Sequence, residues 1–281
     1  MEQYALIGYP LGHTMSPFIH QKLFALSGRV EADYATVEIS PEQLPEKIPL
    51  MLHQYRGFNV TIPHKVNIIP FLDGLDETAN RYGAVNVVKC GTSSRGYNTD
   101  VIGFLRSIEM LGTTLSAGSV LILGCGGVGR MMAAESLYQG APSLTFAVRE
   151  ADLTAAEALK EELLQKQPGA DISVTTLGKI TGEYHLMINA TPVGMYPQAD
   201  ACPVSEEDIQ RGSFVFDAIY NPEETTLVRL ARKHGRKAMT GAAMLVWQAA
   251  AAQEIWNGVS FQKEDIGEII RQTQDAVKTQ F

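Results

Sequence analysis

A chain of 281 residues, 45% hydrophobic and 19% charged, has the composition of a globular protein with room for two cores. Its formal net charge of −8 argues against a general nucleic-acid binder and means that an anionic ligand needs a local positive group to hold it. Three scattered cysteines, Cys90, Cys125 and Cys202, lack metal-ligand spacing, which points to a reducing compartment with neither disulfide framework nor zinc site.

The opening, MEQYALIGYP, shows no signal-peptide pattern, and no run approaches the roughly 18 apolar residues of a membrane span, so a cytoplasmic protein is expected. YALIG (4–8) reads as a buried strand. Ser16-Pro17 caps a helix ending near Gly28, and DYATVEI (33–39) is the next strand. Pro41, Pro45 and Pro49 cannot share one regular helix, so the following helix is expected to begin at or after Pro45 and to be short or distorted. In GFNVTIPHK (57–65), Phe58, Val60 and Ile62 alternate with Asn59 and Thr61, the period of a half-buried strand that Pro63 stops. That strand has a polar face and delivers His64 and Lys65 at its tip. A helix over 63–72, a strand at AVNVVK (84–89) and a turn at GTSSRG complete an alternation that predicts an open sheet with helices packed on it.

The pattern restarts near residue 101. SVLILGCGGVGRMMAAESLYQGA is an apolar strand, a glycine-rich turn and a helix; LTFAVRE (144–150) is a second strand, followed by a helix with a clear stop. DISVTT, HLMINAT, SFVFDAIY and KAMTG supply further strands, with a helix at 224–234 before the last, and two helices close the chain. Two α/β domains are therefore expected: 1–101 completed by the closing helices 242–281, and 102–241 between them.

GCGGVG (124–129) has the context that a dinucleotide fingerprint requires. Gly124 permits the tight turn, Gly126 lets backbone approach a pyrophosphate, and Gly129 lets helix and strand pack closely; Gly127 and Val128 lie in the same turn. At the end of the second strand, Arg149 is placed to clamp a ribose 2′-phosphate, and Glu150 or Asp152 to accept from a 2′-hydroxyl; a solvated charged turn also explains all three. Asp100, in YNTD, reads equally as a helix N-cap, and Lys65 alone reads as a solvated strand-end lysine. His13 and His64 read as local structural donors rather than ligands, and Met110, Met131, Met132 and Met244 as core. No Ser-His-Asp or Cys-His arrangement argues for itself.

GYPLGHTMSPFIH, GFNVTIPHK, GAVNVV, GYNTDVIGF, GCGGVGR, INATPVGM, DAIYNPEETTLVRLA and GAAMLVWQAA stand in the order found in shikimate dehydrogenases, so the chain resembles that family from residue 7 to about 258. The resemblance implies an N-terminal substrate domain and a Rossmann-type dinucleotide domain with the active site in the cleft between them. It also implies reversible reduction of 3-dehydroshikimate to shikimate with NADP, in the shikimate pathway to chorismate and the aromatic amino acids. Carried over by position, Lys65 and Asp100 are the catalytic pair. Asn59, Thr61, Asn86 and Gln248 hold the ring hydroxyls, and Thr14, Ser16 and Tyr220 bind the carboxylate. The glycine turn, Arg149, Asn189, Thr191, Ala218 and Gly241 hold the cofactor, with no metal. A monomer or homodimer is implied, with no nucleic-acid or membrane partner.

Three departures stand out. The family's SxSP is Thr14-Met15-Ser16-Pro17, which adds a methyl group. Its NRT cluster is Val148-Arg149-Glu150, which keeps only the arginine. Its NGLGML is Thr240-Gly241-Ala242-Ala243-Met244-Leu245. If the chain stays extended, Arg149 faces the adenosine and Glu150 turns away, which favours NADP over NAD. The rival readings are an NAD-using quinate/shikimate dehydrogenase and a non-catalytic nucleotide-sensing regulator.

Overall fold

Among the described residues, two six-stranded sheets organise the chain. The computed structural model describes residues 2–12 and 14–280; His13 lies outside them. The chain divides into a first unit, running up to Gly103 and resuming over Leu245–Thr273, and a second, Phe104–Met244 with the residues from Gln274 on.

The first unit holds β1 (Gln3–Gly8), α1 (Ser16–Leu26), β2 (Asp33–Glu38), α2 (Leu44–Gln54), β3 (Gly57–Val60), α3 (His64–Asn67), β4 (Gly74–Leu75), α4 (Glu77–Tyr82), β5 (Val87–Lys89), β6 (Arg95–Tyr97) and the start of α5 (Asp100–Leu111). Its sheet order is β2-β1-β3-β5-β6-β4. β1 pairs parallel with β2 and β3, whereas β5 runs antiparallel to β3 and β6. Residues 4–7 of β1 are buried on both faces, as a central strand covered by helices requires.

Several local expectations are corrected. α2 starts at Leu44 and runs through Pro45 and Pro49. Pro45 sits in the first turn, where its missing N–H has no partner to lose, and Leu44, Ile48 and Met51 at helical spacing bury the face that holds the helix. The alternation of β3 ends early, for Ile62 is 74% exposed. The helix expected over 63–72 is α3 followed by a 3-10 turn at Ile69–Phe71, since Pro70 cannot donate to the preceding turn. Met131, Met132 and Met244 are buried, but Met110 is 48% exposed.

The second unit holds β7 (Val120–Leu123), α6 (Gly127–Tyr138), β8 (Leu144–Val148), α7 (Leu153–Lys166), β9 (Ile172–Thr176), β10 (Tyr184–Asn189), α8 (Glu206–Ile209), β11 (Gly212–Asp217), α9 (Thr226–Lys233) and β12 (Lys237–Met239). All its strand pairs are parallel, in the order β12-β11-β10-β7-β8-β9. This is the doubly wound arrangement in which connections leave β7 in one direction and β10 in the other, opening a crevice at their carboxyl ends. α10 (Ala242–Asn257) and α11 (Lys263–Gln280) close the chain. Most of α10 belongs to the first unit, where Trp256 donates from Nε1 to the Val88 carbonyl at 2.9 Å and joins Tyr4, Phe24 and Val87 in one apolar cluster. No helix of the described residues is long and apolar enough to cross a membrane.

Candidate active site

β3 turns Phe58 and Val60 into the core and leaves Asn59 half-buried on the other side. Past Pro63, α3 begins with His64, fully buried, whose Nε2 lies 2.6 Å from the Ile39 carbonyl; a carbonyl only accepts, so Nε2 carries the hydrogen and the residue is a structural donor. The next residue, Lys65, has its carbonyl held by the Val85 amide at 2.7 Å, and its ammonium donates to Asp100 Oδ2 at 2.6 Å. Asp100 is the first residue of α5 rather than the cap before it. Asn86 Nδ2 donates to Asp100 Oδ1 at 2.9 Å, so both carboxylate oxygens serve side chains.

Asn86 is held on all sides. Its Oδ1 accepts from the Thr99 amide at 2.7 Å, and its Nδ2 also reaches Thr99 Oγ1 and Gln248 Oε1, each at 3.1 Å. Gln248 on α10 is thereby tied to the same cluster. The Lys65 side chain is 29% exposed against 12% for Asp100, so the pair opens to solvent on the lysine side with further ammonium hydrogens free to donate.

Asn59 has a fixed orientation that the sequence did not disclose. Tyr34 OH donates to its Oδ1 at 2.7 Å, and its Nδ2 donates to the Asn86 carbonyl at 3.3 Å. The amide therefore presents its remaining N–H, not its oxygen, to the open side. Behind it, His20 stacks on Tyr34 with ring centroids 4.2 Å apart and accepts at Nδ1 from Gln253 Nε2 at 3.0 Å. Burial pushes the His20 imidazole down to about 3, only partly offset by a hydrogen bond with Asn59, so it is neutral near pH 7. Tyr34, His20, Thr99 and Gln253 support the site; all four are buried, and only Thr99, inside YNTD, lies in a stretch that the sequence singles out.

Before α1, Ser16 does not cap the helix as expected: Met15 is the cap residue and no side chain caps. Thr14 Oγ1 instead accepts from the Ser16 amide and donates to Ser16 Oγ, both at 3.2 Å, which sets the two hydroxyls side by side at the positive end of α1. Thr61, beyond the end of β3, donates its amide to the Ile7 carbonyl at 2.9 Å. Asn59, Lys65, Asn86, Asp100 and Gln248 are thus joined by hydrogen bonds, and Tyr34, bonded to both Asn59 and Ser16, links them to the Thr14–Ser16 pair. Tyr220 belongs to the second unit, just past β11, and is half-buried, its phenol pushed up by burial.

In the second unit the expected cofactor residues line the carboxyl ends of five strands. Gly124 follows β7 at φ +95°, and a side chain there would lie 2.8 Å from Thr191 Cγ2. At Gly129 a Cβ would meet the Gly124 carbonyl oxygen at 2.6 Å, whereas at Gly126 and Gly127 it would meet nothing within 4 Å. The turn is closed inward and open outward, and the exposed start of α6 fits a diphosphate without obstruction. Val128 is exposed there. Asn189 is fully buried: its Oδ1 accepts from the Thr191 amide at 3.0 Å and hydroxyl at 2.7 Å, and its Nδ2 donates to Asp217 Oδ1 at 3.0 Å. Its side chain shapes the Thr191 turn instead of facing a ligand. Gly241 packs on Ala218, where a Cβ would lie 2.2 Å from the carbonyl oxygen.

Glu150 does not continue the extended strand, contrary to expectation. β8 ends at Val148, Arg149 is the last extended residue, and a 3-10 turn starts at Glu150. Arg149 and Glu150 line the same cavity, and Arg149 Nε donates to Asp152 Oδ2 at 2.7 Å.

A family model described as "Shikimate dehydrogenase substrate binding domain" matches residues 6–88. The shikimate dehydrogenase (NADP(+)) of Caldanaerobacter subterraneus subsp. tengcongensis is 37% identical over 272 residues, covering 95% of this chain and 96% of that one. The chain belongs to the shikimate dehydrogenase family. Within that family, a chorismate mutase/shikimate 5-dehydrogenase fusion protein from Clostridium acetobutylicum matches at a TM-score of 0.89 and 32% identity, over 99% of this chain and 98% of the other. The shikimate 5-dehydrogenase of Thermus thermophilus, solved in complex with NADP(H) and shikimate, matches at 0.83 and 31%, over 97% and 100%.

Proposed function

We propose that this chain reversibly reduces 3-dehydroshikimate to shikimate with NADPH, as a cytoplasmic enzyme of aromatic amino acid biosynthesis. The first unit takes the ring acid and the second the dinucleotide. The observation that carries this reading is the Lys65–Asp100 pair, 2.6 Å apart and bonded to a ring of amides, in a chain of this family. A regulator that only sensed nucleotide would need neither partner.

The dinucleotide supplies the hydride. Hydride arrival at a carbonyl carbon builds negative charge on its oxygen, which the Lys65 ammonium stabilises and protonates. Asp100 anchors that ammonium through one oxygen, and Asn86 anchors Asp100 through the other, so the donor is oriented before substrate enters. The free N–H of Asn59 suits a ring hydroxyl. The Thr14 and Ser16 hydroxyls at the start of α1 suit the carboxylate. The outward-open glycine turn and Arg149 would hold the cofactor's phosphates.

Nicotinamide absorbance with shikimate or quinate, each paired with NADP+ or NAD+, tests the reading. Turnover of shikimate with NADP+ at a kcat/KM above the other three pairs is expected. No turnover with any pair would leave the regulator; a preference for quinate and NAD+ would leave the rival dehydrogenase.

A further inference from the structure

The carboxyl ends of β8 and β9 border an open hollow of about 240 Å³ lined by residues 148–150 and 176–179. That is smaller than the roughly 300–1,000 Å³ of a whole small-molecule site, and suits one end of a ligand. In this strand order the end of the second strand is where a dinucleotide's adenosine ribose lies, and where its 2′-hydroxyl or 2′-phosphate is read. The charges in the cavity conflict. Arg149 answers to Asp152 through Nε, and Glu150 lines the same hollow, so the guanidinium is already paired with one carboxylate and has a second acidic residue beside it in the chain. A phosphate monoester, which carries close to two negative charges, needs more positive charge there than a paired Arg149 alone supplies.

The cavity holds a second cation, from a different element. Lys179 ends the 3-10 turn Leu177–Lys179 that follows β9. Its backbone is fixed: Thr175 Oγ1 donates to its carbonyl at 3.2 Å, and the next residue, Ile180, is buried in the core. Its side chain is exposed, and among the described residues no carboxylate pairs with it. The backbone is therefore held in place while the exposed ammonium stays free to donate.

We propose that Lys179 is a cofactor-specificity residue, closing a two-cation clamp with Arg149 on the 2′-phosphate of NADP and offsetting Glu150. Without it, Glu150 and Asp152 favour a 2′-hydroxyl, which donates to carboxylates. The proposal rests on the reading that the second unit binds a dinucleotide, and deepens it.

The test compares wild type with Lys179→Gln and Lys179→Arg, measuring KM for NADP+ and for NAD+ at saturating shikimate. The ratio of the NADP+ to the NAD+ value should rise about tenfold in the glutamine variant, the effect of losing one charge-assisted hydrogen bond, and should largely recover in the arginine variant. An unchanged ratio in Lys179→Gln overturns the proposal. Calorimetric binding of 2′,5′-ADP to the same proteins needs no catalysis and separates the two levels. Weaker binding in Lys179→Gln with no shikimate oxidation in wild type would sink the enzymatic reading and keep the clamp. Normal shikimate oxidation with equal 2′,5′-ADP binding would sink the clamp and keep the enzyme.

Discussion

In the proposed mechanism Lys65 carries the chemistry with one ammonium, and its removal should be felt in turnover more than in binding. Lys65→Ala is expected to lower kcat by roughly 10²–10⁴, with KM for shikimate changed far less because other groups make most ring contacts. Asp100→Asn should also be slow, and steady-state kinetics of the double variant should show far less impairment than the product of the singles. Multiplicative losses would mean that the 2.6 Å contact does not couple them. Tyr34→Phe is a finer probe. Without the hydroxyl, Asn59 loses the donor that sets its amide orientation, so KM for shikimate should rise several-fold while kcat stays within about threefold. A lower melting temperature with unchanged KM would reduce Tyr34 to a packing role. Sequence reading reached Lys65 and Asp100 only through the order of whole motifs, since a strand-end lysine and a helix-start aspartate each have sufficient local explanations. It did not reach Tyr34 or His20, because their partners Asn59 and Gln253 come from distant segments. Strand alternation placed Glu150 opposite Arg149, but a 3-10 turn starts at Glu150 and both residues line one hollow, so the alternation does not separate their charges.

Elements were more legible than contacts. The second unit's strands and longer helices follow directly from apolar runs and a glycine turn, whereas the short α8 was not read, and GCGGVG has the strand and helix that its motif demands. The first unit resisted where prolines argued against α2, because the burial of Leu44, Ile48 and Met51 is a tertiary effect that outweighs one lost backbone bond. The glycine turn gives a prediction of its own. Gly126→Ala should fold with near-native stability, because its Cβ meets open space, yet should weaken NADP+ binding by intruding where a phosphate approaches. Gly129→Ala should lower unfolding stability by about 1–3 kcal/mol in urea titration, since its Cβ would strike the Gly124 carbonyl oxygen at 2.6 Å. Equal stability in the two variants would refute the inward-closed, outward-open description.

At the scale of the molecule, the two units should respond to acid in opposite directions. His20 in the first is held down to about 3 by burial. Its folded pKa lies below the unfolded value, so its contribution is complete above about 6.5 and declines as pH falls, by about 2 kcal/mol at pH 5. Asp217 in the second, buried among Thr225, Ile219 and Asn189, is pushed up to about 6, chiefly by burial. Its folded pKa lies above the unfolded value, so its contribution is present in acid and lost as pH rises through 6, a gain of about 1 kcal/mol at pH 5 relative to pH 7. Native-state hydrogen exchange, corrected for intrinsic rates at pH 7 and 5, should show β1 and α1 losing protection while β10 and β11 gain it. His20→Phe should abolish the first trend alone.

The placement of Trp256 has a consequence for the growing chain. A side chain at Gly57 would lie 2.2 Å from its Nε1, and the indole closes over Tyr4, Phe24 and Val87. A ribosome must therefore complete nearly the whole second unit before the first receives its lid. The second unit's sheet, drawn from one continuous stretch, can assemble as it emerges. The first waits with aromatic surface bare for some 150 further residues, an interval of roughly 10–30 s at ordinary elongation speeds of about 5–20 residues per second. The N-terminal sheet, although it is made first, is thus the part of this chain whose aromatic core is completed last.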